Sequence, residues 1–362
     1  MLATFDRKTR SIAAIATAGG LATFALRTAG AADLAVFAAS AVALAGLAAL
    51  VGEGTDQLGM RLGPSATGVL QSGLGNLPEF FICVFALRAG LVDVVKAALV
   101  GSILANTLFV LGVAFLAGGL RHGPQRFGAD QTKMMSTLLV LAVAAMAVPT
   151  VATSPGAPAS GHETELSVAV SVVLLLVFAA SIPASIAGVG PAESGGPGDG
   201  TGEGKPAWPL PVTLAILAAA AVGAAVVSDW FVAALEPAIA AVGMSQAFAG
   251  LVVVAIAGNA VENVIGVQAM LANKADLAIS VILNSSLQVA LALTPVLVLI
   301  SLVLGGATLT LVVPPLYVAA LGLAALLAAL VVIDGESTWL EGIALIGLYA
   351  IVAASVWWGP VA

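Results

Sequence analysis

Long apolar runs alternate with short polar breaks along the whole chain. Eleven runs can be read, at roughly 11–28, 33–52, 64–88, 93–117, 134–153, 164–187, 208–229, 246–272, 276–303, 310–333 and 338–358. Each could cross about 30 Å of hydrocarbon as a helix rising about 1.5 Å per residue. The pattern therefore predicts an all-α integral membrane protein with eleven transmembrane helices. One stretch, 188–206, is rich in Gly and Pro, carries Glu193, Asp199, Glu203 and Lys205, and reads as a flexible linker on the cytoplasmic side. It divides the chain into an N-terminal transmembrane helix (1–30), a first group of five helices (31–187), the linker, and a second group of five (207–362).

Two of the runs hold the same polar interruption. One reads Gly75-Asn76-Leu77-Pro78-Glu79, the other Gly258-Asn259-Ala260-Val261-Glu262. Glu79 is the only acid or base between Arg61 and Arg88, and Glu262 the only one between Glu236 and Lys274. Aligning the glutamates aligns their flanks. An acid and a lysine follow each (Asp93 with Lys96, Lys274 with Asp276). Then comes a polar cluster, Ser102 and Asn106 in one half and Asn284-Ser285-Ser286-Leu287-Gln288 in the other. Glu79 lies 27 residues before Asn106 and Glu262 lies 26 before Gln288. Five runs separate the third from the eighth, so the copies should cross the membrane in opposite directions, as two inverted-topology five-helix repeats.

Composition agrees with a membrane protein. Of 362 residues, 60% are hydrophobic and only 9% charged, and the mean hydropathy is +1.13. A soluble domain carries about 25% charge. The lipid bilayer is one expected partner, and so few basic residues in a chain of net charge −7 exclude nucleic acid as another. A lone cysteine, Cys83, rules out an intramolecular disulfide and a cysteine-built metal site. Arg7, Lys8 and Arg10 before the first run suggest a signal peptide, but Arg27 at its end and the next run close behind favour a retained helix. With the N-terminus in the cytoplasm, nine lysines and arginines fall inside and three outside, which satisfies the positive-inside rule. Short loops suit a prokaryotic plasma membrane. The oligomeric state is left open, with a homo-oligomer among the options.

A carboxylate at membrane depth is costly and needs a partner. Neither run supplies a lysine, arginine or histidine, so a mobile cation becomes the first candidate. Pro78 and Gly75 should kink the third run near residues 74–78, and Gly258 should loosen the eighth. Carbonyls freed there could serve as hard oxygen ligands. Asn76 and Asn259 stand three residues before their glutamates, on the same helical face. Asn106, Gln288, Ser102 and Ser285 can add oxygens from the adjoining runs. About six to eight oxygens suit Ca²⁺, and the absence of nitrogen and sulfur ligands argues against zinc or copper. The same two glutamates, Glu79 and Glu262, are the candidate proton carriers. One divalent cation or two protons would neutralise the pair, and the empty pair should seldom cross between access states. This predicts coupled exchange of transported ions with no bound cofactor and no enzymatic chemistry.

At these residues the chain resembles the calcium/cation antiporter superfamily, and within it the cation/proton exchanger branch. Residues 63–119 are similar to that branch's first α-repeat and 248–301 to its second. The resemblance implies an N-terminal helix plus two inverted five-helix repeats, and alternating access by sliding of gating helices. It implies also that Glu79 and Glu262 bind the cation, with Asn106 and Gln288 completing the site. Asn263 stands where the family usually has histidine, Asn284 where glycine is expected, and the linker lacks the family's acidic helix. The nearest rivals keep the fold and change the ions, to sodium, manganese or another cation. A channel with a two-glutamate filter is a rival that the inverted repeat disfavours. An intramembrane hydrolase would need paired aspartates, a Ser-His set or a histidine cluster that the runs do not contain. Sodium-coupled relatives tend to carry an acid where Gln288 stands, so Gln288→Asp is expected to shift exchange toward sodium. Unchanged ion dependence in flux assays would remove that argument for protons.

Overall fold

The computed structural model describes residues 6–62, 74–186 and 207–358. The linker 188–206, Gln71 and the first part of the third run lie outside the described residues. Helices α1 (Arg7–Thr28), α2 (Asp33–Leu62) and α3 (Leu77–Arg88) come first. They are followed by α4 (Val92–His122), α5 (Ala129–Ala152) and α6 (Glu163–Ile186). After the linker come α7 (Leu210–Val242), α8 (Gln246–Gly258), α9 (Ala260–Leu271) and α10 (Ala275–Ser301). The chain ends on α11 (Pro315–Val332) and α12 (Trp339–Trp357). Among the described residues nine helices are long and apolar enough to cross a membrane, or ten if α8 and α9, bent by 64°, count as one span. The protein is an all-α, multi-pass integral membrane protein.

The runs locate the helices, but their ends differ where the chain leaves hydrocarbon. The expected second run stops near 52, whereas α2 continues to Leu62 and carries Glu53 and Asp56 within it. The seventh, expected at 208–229, becomes a 33-residue helix that includes Asp229, Glu236 and Pro237. Hydropathy marks the apolar thickness, while helix propensity and tertiary contact continue a helix beyond it. At about 1.5 Å per residue both helices exceed that thickness. They pack along each other in the most extensive helix–helix contact of the bundle.

Small residues set the closest crossings. A Cβ on Gly250 of α8 would lie 2.6 Å from Ala97 Cβ of α4, and one on Gly101 would meet the backbone of Leu251. Membrane helices associate through such close approach because lipid removes the hydrophobic drive between them. Three helices contain π-helical stretches, Ala105–Val110 in α4, Ala249–Val254 in α8 and Val289–Leu293 in α10. Such widened turns are frequent at functional sites.

The loops tie helix ends together. Arg61 donates to the carbonyl of Trp208, and Gln57 Oε1 accepts from Ala207 N at 2.9 Å, so the end of α2 holds the start of α7. His122, exposed at the end of α4, lies 2.9 Å from the Leu271 carbonyl and joins the ends of α4 and α9. Two-residue strands β1 (Gln125–Arg126) and β2 (Glu336–Ser337) pair antiparallel, with Arg126 and Glu336 bridged at 2.7 Å. Elsewhere Lys96 donates to Val312 O at 2.6 Å, and the hydroxyls of Thr150 and Ser167 receive the N–H groups of Val313 and Leu311.

The crossing yields a stability prediction. Gly101→Ala should destabilise by about 1–3 kcal/mol, because backbone must move to admit the methyl. Gly20→Ala, where nothing lies within 4 Å, should be neutral or stabilising by up to about 1 kcal/mol. Apparent Tm in detergent separates the two.

Candidate functional site

The second Gly-Asn motif interrupts a helix, and each glutamate lies in the first turn of the half-helix that follows its motif. Gly75 and Asn76 are non-helical, and α3 begins at Leu77 with Pro78 in its first turn, where a missing N–H costs little. Asn259 (φ −107°, ψ 20°) separates α8 from α9 without any proline. The break therefore belongs to Gly-Asn, and Pro78 accommodates it. Phe80 N donates to Asn76 O at 2.9 Å and Asn263 N to Asn259 O at 3.1 Å, so the restart is alike in both. Glu79 and Glu262 are each the third residue of their half-helix. There the unpaired N–H groups and the positive end of the helix dipole favour a negative side chain.

Neither asparagine caps its own half-helix through its side chain. Both reach across the bundle. Asn259 Nδ2 donates to Ser102 Oγ at 2.9 Å and lies 3.4 Å from Glu79 Oε2, and it also contacts Ala255 O at 3.0 Å. The Ser102 hydroxyl donates to Glu79 Oε1. Ser285 Oγ stands 3.5 Å from Asn259 Oδ1 and accepts from Asn106 Nδ2 at 2.9 Å. Asn76 Nδ2 donates to Gln288 Oε1 at 3.1 Å. These bonds join residues on either side of the linker, as a buried chain from Glu79 through Ser102, Asn259 and Ser285 to Asn106 and as the pair Asn76 and Gln288. Gly258 lies against Glu79, and a Cβ there would come 3.2 Å from Glu79 Cβ.

The two glutamates occupy different surroundings. Glu79 is fully buried, whereas Glu262 is half-buried. Glu262 folds back toward its own backbone N–H and sits near enough for its charge to act on Glu79. A cavity of about 470 Å³ reaches Glu262, Ser285, Gln288 and Gly75 from the face that carries Lys8 and Asp56. Its wall also includes Glu53, Gln268 and Asn284.

Of the ten candidate residues Gly258 packs against Glu79, and the other nine thus fall on these bonds or the cavity wall. Ser286 does not, since its hydroxyl turns to Ile282 O of its own helix at 3.3 Å. Asn263 has a buried Oδ1 without a partner. By sequence Glu53 and Asp56 read as ordinary acids near a span end with an entry-path role as the alternative, and Lys8 carried no site signal. Their spacing (Glu53 and Asp56 three apart on α2) was the available signal. No group of three or more His, Cys, Asp or Glu is placed to hold a metal among the described residues. Oxygen donors here come mainly from amides and hydroxyls, a hard set suited to an alkaline-earth cation. Asn259→Ala should cost roughly 1–3 kcal/mol, since Glu79, Ser102 and Ala255 O each lose a buried donor. Asn76→Ala, which removes one bond beside the cavity, should cost less in the same detergent melts.

The comparisons with known proteins agree with this geometry. A family model described as sodium/calcium exchanger protein matches residues 32–187 and 212–358. The chain is 35% identical over 356 residues to a Ca(2+)/H(+) antiporter of Synechocystis sp., covering 93% of this chain and 94% of that one. It is 32% identical over 320 residues to the Ca(2+)/H(+) antiporter ChaA of Bacillus subtilis, covering 88% and 90%. The solved structure of native YfkE superposes with a TM-score of 0.80 at 29% identity, covering 96% of this chain and 99% of that one.

Proposed function

The chain belongs to the sodium/calcium exchanger protein family, and from that membership we infer what its buried carboxylates are for. The protein is a secondary active antiporter, not an enzyme, and it exchanges Ca²⁺ or a similar divalent cation for protons. The observation that carries the mechanism is that Glu79, held by Ser102 and Asn259, and Glu262, on the wall of a cavity open to one face, meet the same cluster of buried amides and hydroxyls from both halves of the chain.

We propose that Glu79 and Glu262 hold the cation or the protons in turn. Asn76, Asn259, Asn106, Gln288, Ser102 and Ser285 supply oxygens, and Gly75 and Gly258 open the backbone beside them. An empty, doubly ionised pair is the costly state, so reorientation favours the loaded or the protonated site and couples the two fluxes. The difference between the glutamates reads as one access state. Glu79 is closed off by Ser102 and Asn259, while Glu262 faces the cavity. In the opposite state the inverted relation assigns the closed role to Glu262, with Ser285 in the place of Ser102 and Asn76 in the place of Asn259.

We propose further that α3, with the residues before it, and the bent pair α8–α9 are equivalent spans. The bundle then has eleven, α1 plus two inverted five-helix repeats, with boundaries at 31–187 and 207–362. Reciprocal contacts support this. The α4–α12 contact between the halves answers the α10–α6 contact, while α2–α7 and α5–α11 answer themselves. Superposing Glu79 on Glu262 carries the π-helical stretch of α4 onto that of α10 within one residue. With the N-terminus cytoplasmic, as the distribution of lysines and arginines favours, the cavity opens to the cytoplasm. The host is read as a prokaryotic plasma membrane.

Purified protein in liposomes should take up calcium under an imposed pH gradient with sodium absent. Glu79→Gln or Glu262→Gln should abolish that coupled uptake while the protein stays folded, because the change keeps volume and removes only the titratable charge. Normal uptake by either variant would overturn the site assignment. Uptake that follows a sodium gradient in place of the pH gradient would favour the sodium-coupled reading.

A further inference from the structure

Helix α1 lies outside the residues matched by the family model, which begin at 32. Yet Lys8, Ser11, Ile12 and Ile15 form part of the wall of the cavity that reaches Glu262. Their three- and four-residue spacing puts them on one helical face. The helix is held there by close backbone contact. A Cβ on Gly46 of α2 would lie 2.7 Å from Ala16 N, and one on Gly19 would lie 2.9 Å from Ala43 Cα.

Across from this face α2 presents Glu53 and Asp56, both on the same cavity wall. Lys8 Nζ is 3.7 Å from Glu53 Oε2. Asp56 Oδ1 is buried and has no hydrogen-bond partner. Among the described residues lining this cavity, Lys8 is the one basic side chain. The wall therefore carries two acids and one base between the N-terminal face and Glu262.

We propose that Lys8 sets how readily a divalent cation enters from the N-terminal face. Paired with Glu53, it leaves Asp56, whose buried Oδ1 accepts no hydrogen bond among the described residues, as the carboxylate that a cation meets on its way to Glu262. Charges on the low-dielectric walls of a narrow, wet cavity are focused into it and alter the local cation concentration. Removing the lysine leaves two uncompensated acids and draws the cation in more strongly. Removing Glu53 leaves Lys8 free to repel it. The inference rests on the reading of this cavity as the cation path.

Calcium uptake is measured in proteoliposomes with the cation supplied at the N-terminal face, at low and high salt. With Lys8→Gln the half-saturating calcium concentration should fall about three- to fivefold at low salt, the size expected for one charge acting on a divalent ion about 10 Å away through water. With Glu53→Gln it should rise by a similar factor. The double variant should return near the parent value, and Lys8→Arg should keep it. Both shifts should shrink as salt is raised. Single-variant shifts in the same direction, as lost packing would give, or shifts that salt does not reduce, would overturn the role of Lys8. The midpoint of calcium-induced stabilisation in detergent melts reads the same shift without transport. A parent protein that fails to exchange at all counts against the proposed function, while the melts of the variants still judge Lys8.

Discussion

Two carboxylates drawn out of water into a helix bundle lose hydration and repel each other, a penalty of several kcal/mol per ion when nothing neutralises them. Neither motif contains a basic side chain to offset it. What the fold supplies is partial relief. Each glutamate begins a half-helix, where free N–H groups and the helix dipole favour negative charge by about 0.3–1 kcal/mol, more where partly buried. Glu79 gains two further donors, Ser102 and Asn259. This relief lets the site form, but it is smaller than the penalty and leaves the remainder for mobile ions. The broken helices, the amides turned away from capping and the coupling of two fluxes all follow from that imbalance.

The same imbalance accounts for the unequal surroundings of two equal motifs. A pair of acids opened to water on one side and closed on the other cannot be symmetric at any instant, however similar the sequences that carry it. Asn259 spends its amide on Glu79 and Ser102, while Asn76 spends its amide on Gln288 at the cavity. Each amide crosses from one half of the chain to the other, so moving one half relative to the other must exchange these bonds. The long α2 and α7 share the most extensive helix–helix contact, α2 also meets α3, α8 and α9 while α7 meets α3, and the pair is suited to carry such a shift. Tight backbone crossings at Gly101 and Gly250, by contrast, hold α4 against α8.

Charge outside the two motifs enters the proposed path as well, through a helix that lies before the residues matched by the family model. Lys8 on α1 meets Glu53 on α2 at the mouth of the cavity, 45 residues away in sequence. The absence of fixed positive charge, true of both motif runs, does not extend to the path that leads to them. In a water-filled passage such a charge acts over several ångströms, so it can tune arrival without touching the bound ion.

Much of this was legible from residue order alone. Apolar thickness is a property of composition, so the runs located the membrane helices, and the isolation of Glu79 and Glu262 in them identified the costly groups. The repeated Asn-x-x-Glu spacing also held more than was taken from it, because that spacing is a helix-start signature and marks the break at Asn76 and Asn259. Pro78 and Gly75 were expected to kink the third run and Gly258 to loosen the eighth, yet the eighth run bends by 64° without a proline. What residue order could not decide was where each polar side chain spends its hydrogen bonds. Asn259 to Ser102, Asn106 to Ser285 and Lys8 to Glu53 are contacts between distant segments, set by how the helices cross. Local spacing constrains which groups share a helical face; only the assembled bundle determines which faces meet, and so which of two identical motifs is closed and which is open to water.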